Sequence, residues 1–594
     1  MKKNTSFLDF NLFKRLLDYV LVYKLIFVFV AVAAILISLF STLTPYLIKV
    51  AVDDYLAVGK YEDFLLLICL MIGNLILTVV FMFLFSYYAN LLGQKVIYDI
   101  RVKLFNHILN FKMTYFDRSS VGRLVTRAVN DMETIASIFS QGLFMIVADL
   151  MQMLVVVLVM LALSWKLSLT IFAILPFILF ATRKFQKSMK VAFNEVRTEV
   201  ANLNSFVQER ITGMKIVQLF NRQKIEYDNF VKINEKHKNA WLKTVWYNSI
   251  FFPIAELSTS ITIGLIVWFG GLNAILEDSS ITLGVIFLFI QLSQMLFRPL
   301  RQIADKFNTL QMGMVAANRI FKIIDTDSKI QNSGKNIGEF LDGNISFKNV
   351  NFSYNRNETI INNLSFSIKN GEKIAIVGST GSGKTTIVNL ITRFYDIQGG
   401  SIFLGKNDIK EYKLSSLRSK IALVLQDVFL FADTILNNIT LYNPNISFDH
   451  VVSAAKKIGI HDFIMSMPGG YNYNVKERGV MLSQGQRQLI SFLRAYIKNP
   501  SILILDEATS SIDSNSEELI QRATLKITEN KTSIIIAHRL STIVNSDRIF
   551  VMNGGELVES GSHKELIKKK NGYYKNLYDV QFKNEKFSQV PLPV

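Results

Sequence analysis

The stretch Ile374-Ala375-Ile376-Val377-Gly378-Ser379-Thr380-Gly381-Ser382-Gly383-Lys384-Thr385-Thr386 decides how the chain is read. Four apolar residues make a strand, a glycine-rich turn follows, and an apolar helix continues from Ile387. Glycines at 378, 381 and 383 let backbone amides curl around phosphate oxygens at a helix N-terminus, where the aligned peptide dipoles favour negative charge. Lys384 neutralises the outer phosphates and Thr385 offers a hydroxyl to Mg²⁺, with Ser379, Thr380, Ser382 and Thr386 completing the stretch. With a strand before it and a helix after it, this is a P-loop in its required context, so ATP and Mg²⁺ are the expected cofactors.

A second strand, Ile502 to Leu505, delivers Asp506 and Glu507 to its C-terminal end. Two adjacent carboxylates there are costly unless a metal ion and a reacting water use them. Asp506 is expected to hold Mg²⁺, directly or through water, and Glu507 to polarise the water that attacks the γ-phosphate. The structural alternative for Glu507 is a helix-capping acid. A third strand, Ser533 to Ala537, ends in His538, a residue suited to contacting the γ-phosphate and orienting that water, a role it gains only from its companions. With further strand-like runs at Ile345 to Phe352, Lys373 to Val377 and Ile421 to Leu425 alternating with helices, the C-terminal half reads as an α/β P-loop NTPase domain.

The N-terminal half has a different character. The chain of 594 residues is 50% hydrophobic. Its mean hydropathy of +0.29 is too high for a purely soluble protein of this size. The apolar residues crowd into six stretches, Ile26 to Leu47, Phe64 to Ser86, Phe144 to Leu163, Leu167 to Thr182, Phe251 to Ile275 and Ile281 to Leu300. Each approaches the roughly 20 residues that span a bilayer core of about 30 Å. Cys69, the single cysteine, lies in one of them, so no disulfide framework exists within the chain. The net charge of +18 by itself suggests a nucleic-acid partner, but the spans exclude that reading.

The charges instead alternate by side. Lys2, Lys3, Lys14 and Arg15 precede the first run and Lys95, Arg101, Lys103 and Lys112 follow the second, whereas Asp53, Asp54, Glu62 and Asp63 lie between the two. This is the positive-inside pattern, and with an even number of spans it places both termini in the cytoplasm. The two internal connections, Tyr87 to Gly142 and Arg183 to Ser249, are long, and Val207, Ile211, Met214 and Val217 recur at helical spacing, so both read as helices continuing beyond the membrane. The expected division is an α-helical six-span transmembrane domain over residues 1–324, a polar linker over 325–343, the nucleotide-binding domain over 344–580 and a disordered tail over 581–594.

Taken together these residues resemble the ATP-binding cassette transporters, specifically exporter-type half-transporters with fused transmembrane and nucleotide-binding domains. Leu482-Ser483-Gln484-Gly485-Gln486 resembles the family's signature motif, and Val475 to Gly479 ahead of it the loop that couples exporters. Gln426 sits where the Q-loop glutamine lies, which implies a role in catalysis and at Mg²⁺; Tyr354 sits where an aromatic stacks on adenine, and Ser510 to Asp513 looks like the D-loop. Tyr115-Phe116-Asp117 followed by Gly122, Arg123 and Arg127 resembles the first intracellular loop, and Glu209, Gly213, Val217 and Phe220 the second. The resemblance covers nearly the whole chain and implies ATP-driven export, or leaflet flipping, of amphipathic small molecules or lipids.

It also implies a dimer, because ATP in that family is held between the P-loop of one cassette and the signature of another, and this chain has one cassette. Gln484 replaces the usual glycine of the signature, which favours an unlike partner chain; Glu507 and His538 are both present, which favours a homodimer, and the balance leans to the homodimer. An ATP-gated channel or an importer built on the same scaffold is the alternative function. The half-transporter form associates the chain with the bacterial inner membrane.

Polar residues within spans default to function. Asp149, Glu256 and Arg298 fall at similar depth and are expected to meet in a substrate cavity with Gln291 and Gln294. Either Asp149 or Glu256 attracts cationic amphiphiles there, or the acids neutralise Arg298 or simply face a vestibule open to the cytosol.

Overall fold

A computed structural model of the chain describes residues 10–59, 64–275, 281–330, 332, 334, 343–355, 358–507, 514–537 and 540–581. The chain divides into two compact units, Met1–Leu109 with Ser120–Asp327, and Asn110–Ser119 with Ser328–Val594.

The first unit is all helical. An opening amphipathic helix, α1 (Phe10–Leu21), buries Leu16 and Val20 on its apolar face. Arg15 on that helix grips Asp325 through two hydrogen bonds of 2.6 and 2.7 Å, and its guanidinium lies 4.1 Å from the Phe321 ring centre. The long helices follow as α2 (Lys24–Val50), α3 (Phe64–Leu109), α4 (Phe144–Leu163), α5 (Trp165–Thr212), α6 (Gln223–Ile275) and α7 (Leu283–Ile324). Among the described residues six helices are long and apolar enough to cross a membrane, the third of them running from Val121 to Leu163. The protein is therefore a multi-pass membrane protein.

Four of these helices are far longer than a bilayer demands. With 46, 48, 53 and 42 residues, α3, α5, α6 and α7 extend well past the membrane core, since about 20 residues at about 1.5 Å each suffice to cross it. The expected helical continuation of the internal connections is therefore present, α5 turning into α6 through Gly213 and a short helix, Met214–Leu219. Pro45, Pro176, Pro253 and Pro299 lie inside α2, α5, α6 and α7, as membrane helices tolerate. The third crossing carries two π-helical turns, Arg127–Asp131 and Ile138–Leu143, that the sequence pattern did not signal. Its second π turn meets α7 at Gly313, where an added Cβ would fall 2.1 Å from an Ile138 side-chain carbon, so only glycine permits that crossing.

Within this unit the window of α7 that crosses the membrane is 61% buried and that of α3 only 11%, so α7 runs through the packing centre and α3 along the lipid-facing rim. Leu288, Phe289, Leu292, Leu296 and Phe297 of α7 pack with Ile171 and Ile178 of α5 and Ile266 of α6.

The second unit is α/β. Five parallel strands, β9 (Arg548–Asn553), β3 (Lys373–Gly378), β8 (Thr532–Ala537), β7 (Ile502–Glu507) and β6 (Ile421–Val424), lie side by side with β10 (Glu556–Gly561) antiparallel at one edge. An antiparallel sheet of β2 (Ile361–Ile368), β1 (Ile345–Phe352), β4 (Gly399–Leu404) and β5 (Asn407–Asp408) accompanies it. The parallel strands are covered on both faces, which is why they read as continuous apolar runs. Ala375, Val377, Leu503, Leu505 and Ile535 enter one core, while Ile374, Ile376, Ile502, Ile504, Ile534 and Ile536 enter the other. Each such isoleucine or leucine stabilises the fold by about 1.5–3 kcal/mol over its exposed state.

Two helices carry motif residues at their N-termini, α8 (Lys384–Ile391) directly after the glycine-rich turn and α9 (Gln484–Ile497) directly after Leu482 and Ser483. The expected strands all form, whereas β2, β4, β5, β9 and β10 lay outside the sequence reading. Much of the expected linker and the tail from 582 lie outside the described residues.

Candidate functional site

The glycine-rich turn joins β3 to α8 at the C-terminal edge of the parallel sheet, the edge where open α/β sheets bind ligands. Gly378, Gly381 and Gly383 have φ of 156, 84 and 95°. A Cβ on Gly378 would lie 2.3 Å from the Met552 carbonyl oxygen, and one on Gly383 2.7 Å from Ile361 Cδ1. Glycine is therefore required twice over, by dihedral and by space. Ser379, Thr380 and Gly381 form the exposed rim, and Ser382 is buried beneath it.

Lys384 folds back over the turn, its ammonium donating to the carbonyl oxygens of Gly378 and Ser379 at 2.8 and 2.9 Å. Burial pushes its ionisation down, and the Asp506 carboxylate opposes that shift. Asp506 is only 8% exposed. The Ser382 hydroxyl is buried and hydrogen-bonds to nothing among the described residues. Left-handed glycine amides, a buried hydroxyl without a partner, a lysine and a helix N-terminus together fit a nucleotide phosphate chain. Thr385 stands exposed in the first turn of α8, and no cluster of three or more His, Cys, Asp or Glu exists among the described residues. That donor set suits Mg²⁺, which binds through one or two protein oxygens and the phosphates rather than in an all-protein cage.

The strand ends assemble the rest. Glu507 pairs with Ala537 across β7 and β8, and Ile536 with Ile376 across β8 and β3, so the backbone at 506–507 and at 537 ends level with the glycine-rich turn. The Glu507 side chain, Asp513 and His538 lie outside the described residues.

Tyr354 lies beside α8. Its hydroxyl donates to Thr386 Oγ1 at 3.3 Å and accepts from Asn389 at 3.1 Å. Its ring meets Phe352 and Tyr395 edge-on at 4.9 and 5.0 Å. Tyr395, which the sequence reading did not single out, donates in turn to Asp117 at 2.7 Å. Burial first, and then Asp117, push the Tyr395 phenol far above its usual range, so it remains a donor. Asp117 belongs to the short helix Met113–Arg118, which packs within this unit and is held also by Lys112 against Asp396 at 3.8 Å. No motif marks Tyr395; its partner is 278 positions away.

The expected signature residues sit at the start of α9. Ser483 caps that helix, accepting from the Gln486 amide at 3.3 Å while Gln486 reaches back to the Ser483 amide at 3.0 Å. This reciprocal capping box fixes the loop entering the helix. Leu482 and Gly485 are buried. Gln484 and Gln426 line one cavity of about 360 Å³ with Asp427, Arg478 and Arg487.

In the first unit, Glu256, Gln294 and Arg298 share a cavity of about 710 Å³. Asp149 is instead ion-paired with Lys306, and Gln291 is not among that cavity's lining.

Residues 27–300 match the family described as "ABC transporter transmembrane region", and residues 361–510 the family described as "ABC transporter". The chain is 36% identical over 571 residues to the "Uncharacterized ABC transporter ATP-binding protein YknV" of Bacillus subtilis (strain 168), covering 96% of this chain and 94% of that one. It is 33% identical over 588 residues to the "ATP-dependent lipid A-core flippase" of Syntrophus aciditrophicus (strain SB), covering 98% and 96%. Its fold is similar to that of a solved bacterial Atm1-family ABC exporter with ATP bound, with TM-score 0.74, 27% identity, and 93% and 98% of the two chains covered.

Proposed function

This chain belongs to the ATP-binding cassette transporters, and from that premise we propose that it is a half-transporter, two copies of which export or flip amphipathic molecules or lipids across a bacterial inner membrane. It hydrolyses ATP and couples that hydrolysis to transport. The observation that carries the reading is the cradle at Gly378 to Lys384, with its unpartnered buried Ser382 hydroxyl, on the same chain as six membrane-crossing helices.

In this reading the turn and Lys384 hold the β- and γ-phosphates and Tyr354 faces the adenine. The Thr385 hydroxyl, with Asp506 and Gln426, would hold Mg²⁺, which would spread the phosphate charge when bound. Glu507 draws a proton from the attacking water and His538 orients the γ-phosphate. Ser483 and Gly485 reach the γ-phosphate held by the partner's Lys384, so ATP closes two cassettes together. The Ser483 capping box keeps that hydroxyl at the rim of α9. A homodimer is supported by the presence of Glu507 and His538 in one chain; an unlike partner is supported by Gln484, which lies in one cavity with Gln426. Basic residues before the first crossing and after the second support cytoplasmic termini.

Inside-out membrane vesicles from cells making the protein test the direction. The exporter reading expects ATP-dependent accumulation of a fluorescent lipid or amphiphile inside them. Loss of preloaded cargo on adding ATP would mark an importer, and ATP-gated equilibration without accumulation a channel.

A further inference from the structure

The 710 Å³ cavity in the membrane unit has walls of unequal chemistry. On α5 it is lined by Phe185, Met189 and Phe193, and on α7 by Gln294, Arg298 and Gln302. Both sets recur every fourth residue, so each is a straight stripe along one helix face, about 12 Å long at about 1.5 Å per residue. One stripe is wholly apolar and the other wholly polar. Phe251 of α6 stacks flat on Phe185, with centroids 4.0 Å apart and planes 10° from parallel, and so extends the apolar side.

The polar stripe centres on a cation. Arg298 is exposed to the cavity, and no carboxylate of a described residue lies within 4.0 Å of it. A guanidinium does not give up its proton, so in a membrane-crossing helix it requires an anion or water. Asp149, expected at a similar depth, is taken by Lys306. Gln294 and Gln302 line the cavity one turn to either side, and each carries an amide that can donate to an anion beside Arg298. Glu256 also lines the cavity but is engaged in an interaction of its own, and its charge disfavours an anion placed away from Arg298.

We propose that this cavity is a cargo slot selecting amphiphiles with an anionic phosphate or carboxylate headgroup, the headgroup held on Arg298 between Gln294 and Gln302 and the apolar body laid against Phe185, Met189 and Phe193. The sequence alone left open cationic amphiphiles drawn to Asp149 or Glu256, acids neutralising Arg298, or polar residues facing a cytosolic vestibule. The inference rests on the export reading for its meaning as a cargo site, while its binding chemistry stands on the cavity.

The test uses the full chain in phosphatidylcholine nanodiscs with three probes of equal chain length, dodecyl phosphate, dodecanoate and dodecyltrimethylammonium, each below its micellar concentration. Binding is read as the rise in melting temperature and ATP turnover as its stimulation. The two anions are expected to act at concentrations about tenfold below the cation, and the stronger of the two identifies a phosphate or a carboxylate headgroup. Arg298→Gln is expected to erase that preference and Arg298→Lys to retain part of it. A cation equal to or better than both anions overturns the proposal, as does a preference untouched by Arg298→Gln. If Arg298→Gln does not fold, Gln302→Leu on the exposed stripe replaces it, and the wild-type ranking decides in either case. Directional movement of every amphiphile regardless of head charge would sink the slot and leave export standing. Charge-selective binding without directional movement would do the reverse.

Discussion

Removing one oxygen from Tyr395 is expected to loosen the short helix Met113–Arg118. In Tyr395→Phe the 2.7 Å hydrogen bond to Asp117 is lost, while the ring edge facing Tyr354 at 5.0 Å is kept. Hydrogen bonds to charged groups contribute about 1.5–3 kcal/mol, and because Asp117 is exposed the lower end, discounted to about 1 kcal/mol, applies here. One kcal/mol is about a fivefold change in the equilibrium between docked and undocked forms of Met113–Arg118. Lys112 to Asp396 at 3.8 Å and Arg118 to Asn355 at 3.5 Å are too long to compensate, while the Lys112 amide, donating to the Ser328 carbonyl oxygen at 2.6 Å, anchors only the start of the segment. Hydrogen exchange over residues 113–118 should therefore speed up about fivefold, and cargo moved per ATP hydrolysed should fall by a comparable factor. Asp117→Asn, which keeps an acceptor but not the charge, should lie between the two. Exchange over 113–118 identical to wild type in Tyr395→Phe would refute the reasoning.

Other perturbations draw on the same geometry. Lys384→Ala removes the cation of the phosphate cradle and should weaken ATP binding about 10- to 100-fold, measured by titration with a fluorescent nucleotide. Ser483→Ala removes the cap of α9 and should lower unfolding stability by about 1 kcal/mol in denaturant melts, in addition to slowing ATP turnover. Gly383→Ala places a Cβ 2.7 Å from Ile361 Cδ1 at φ of 95°, so nucleotide binding should be lost in a protein whose membrane unit still folds, as judged by monodisperse elution with intact helical circular dichroism. His563 is held below its ordinary pKa of 6.5 by burial, so the unfolded chain binds its proton more readily than the folded one. Stability should therefore decline as pH falls from about 6.5 toward the lower folded value, and His563→Asn should flatten that part of the melting profile.

Much of the fold was legible because it rests on local chemistry. The strand Ile374 to Val377, the glycines after it and Lys384 each state their role within a dozen positions, and apolar runs longer than a soluble core requires could only be membrane helices. The edge strands were harder. β10 alternates exposed and half-buried residues, and β4 opens with Gly399 and Gly400, so neither carries a strong strand signal. The π-helical turns of the third crossing carry no local signal, and the close approach of the second to Gly313 of α7 joins positions far apart in the chain. Side-chain partnerships between distant positions were the least legible of all. Lys306 lies six positions beyond the predicted end of the sixth span, yet it is what neutralises Asp149. Tyr395 reads as one aromatic among many until Asp117 is found beside it.

The claim that ATP turnover drives cargo movement is tested most directly by reconstituting the protein in liposomes and measuring phosphate release and amphiphile translocation in the same sample, for wild type and for Glu507→Gln. The account predicts that both signals rise together in wild type and that both vanish in the variant while ATP still binds. Translocation that continues in Glu507→Gln, or phosphate release that persists there unchanged, would contradict it.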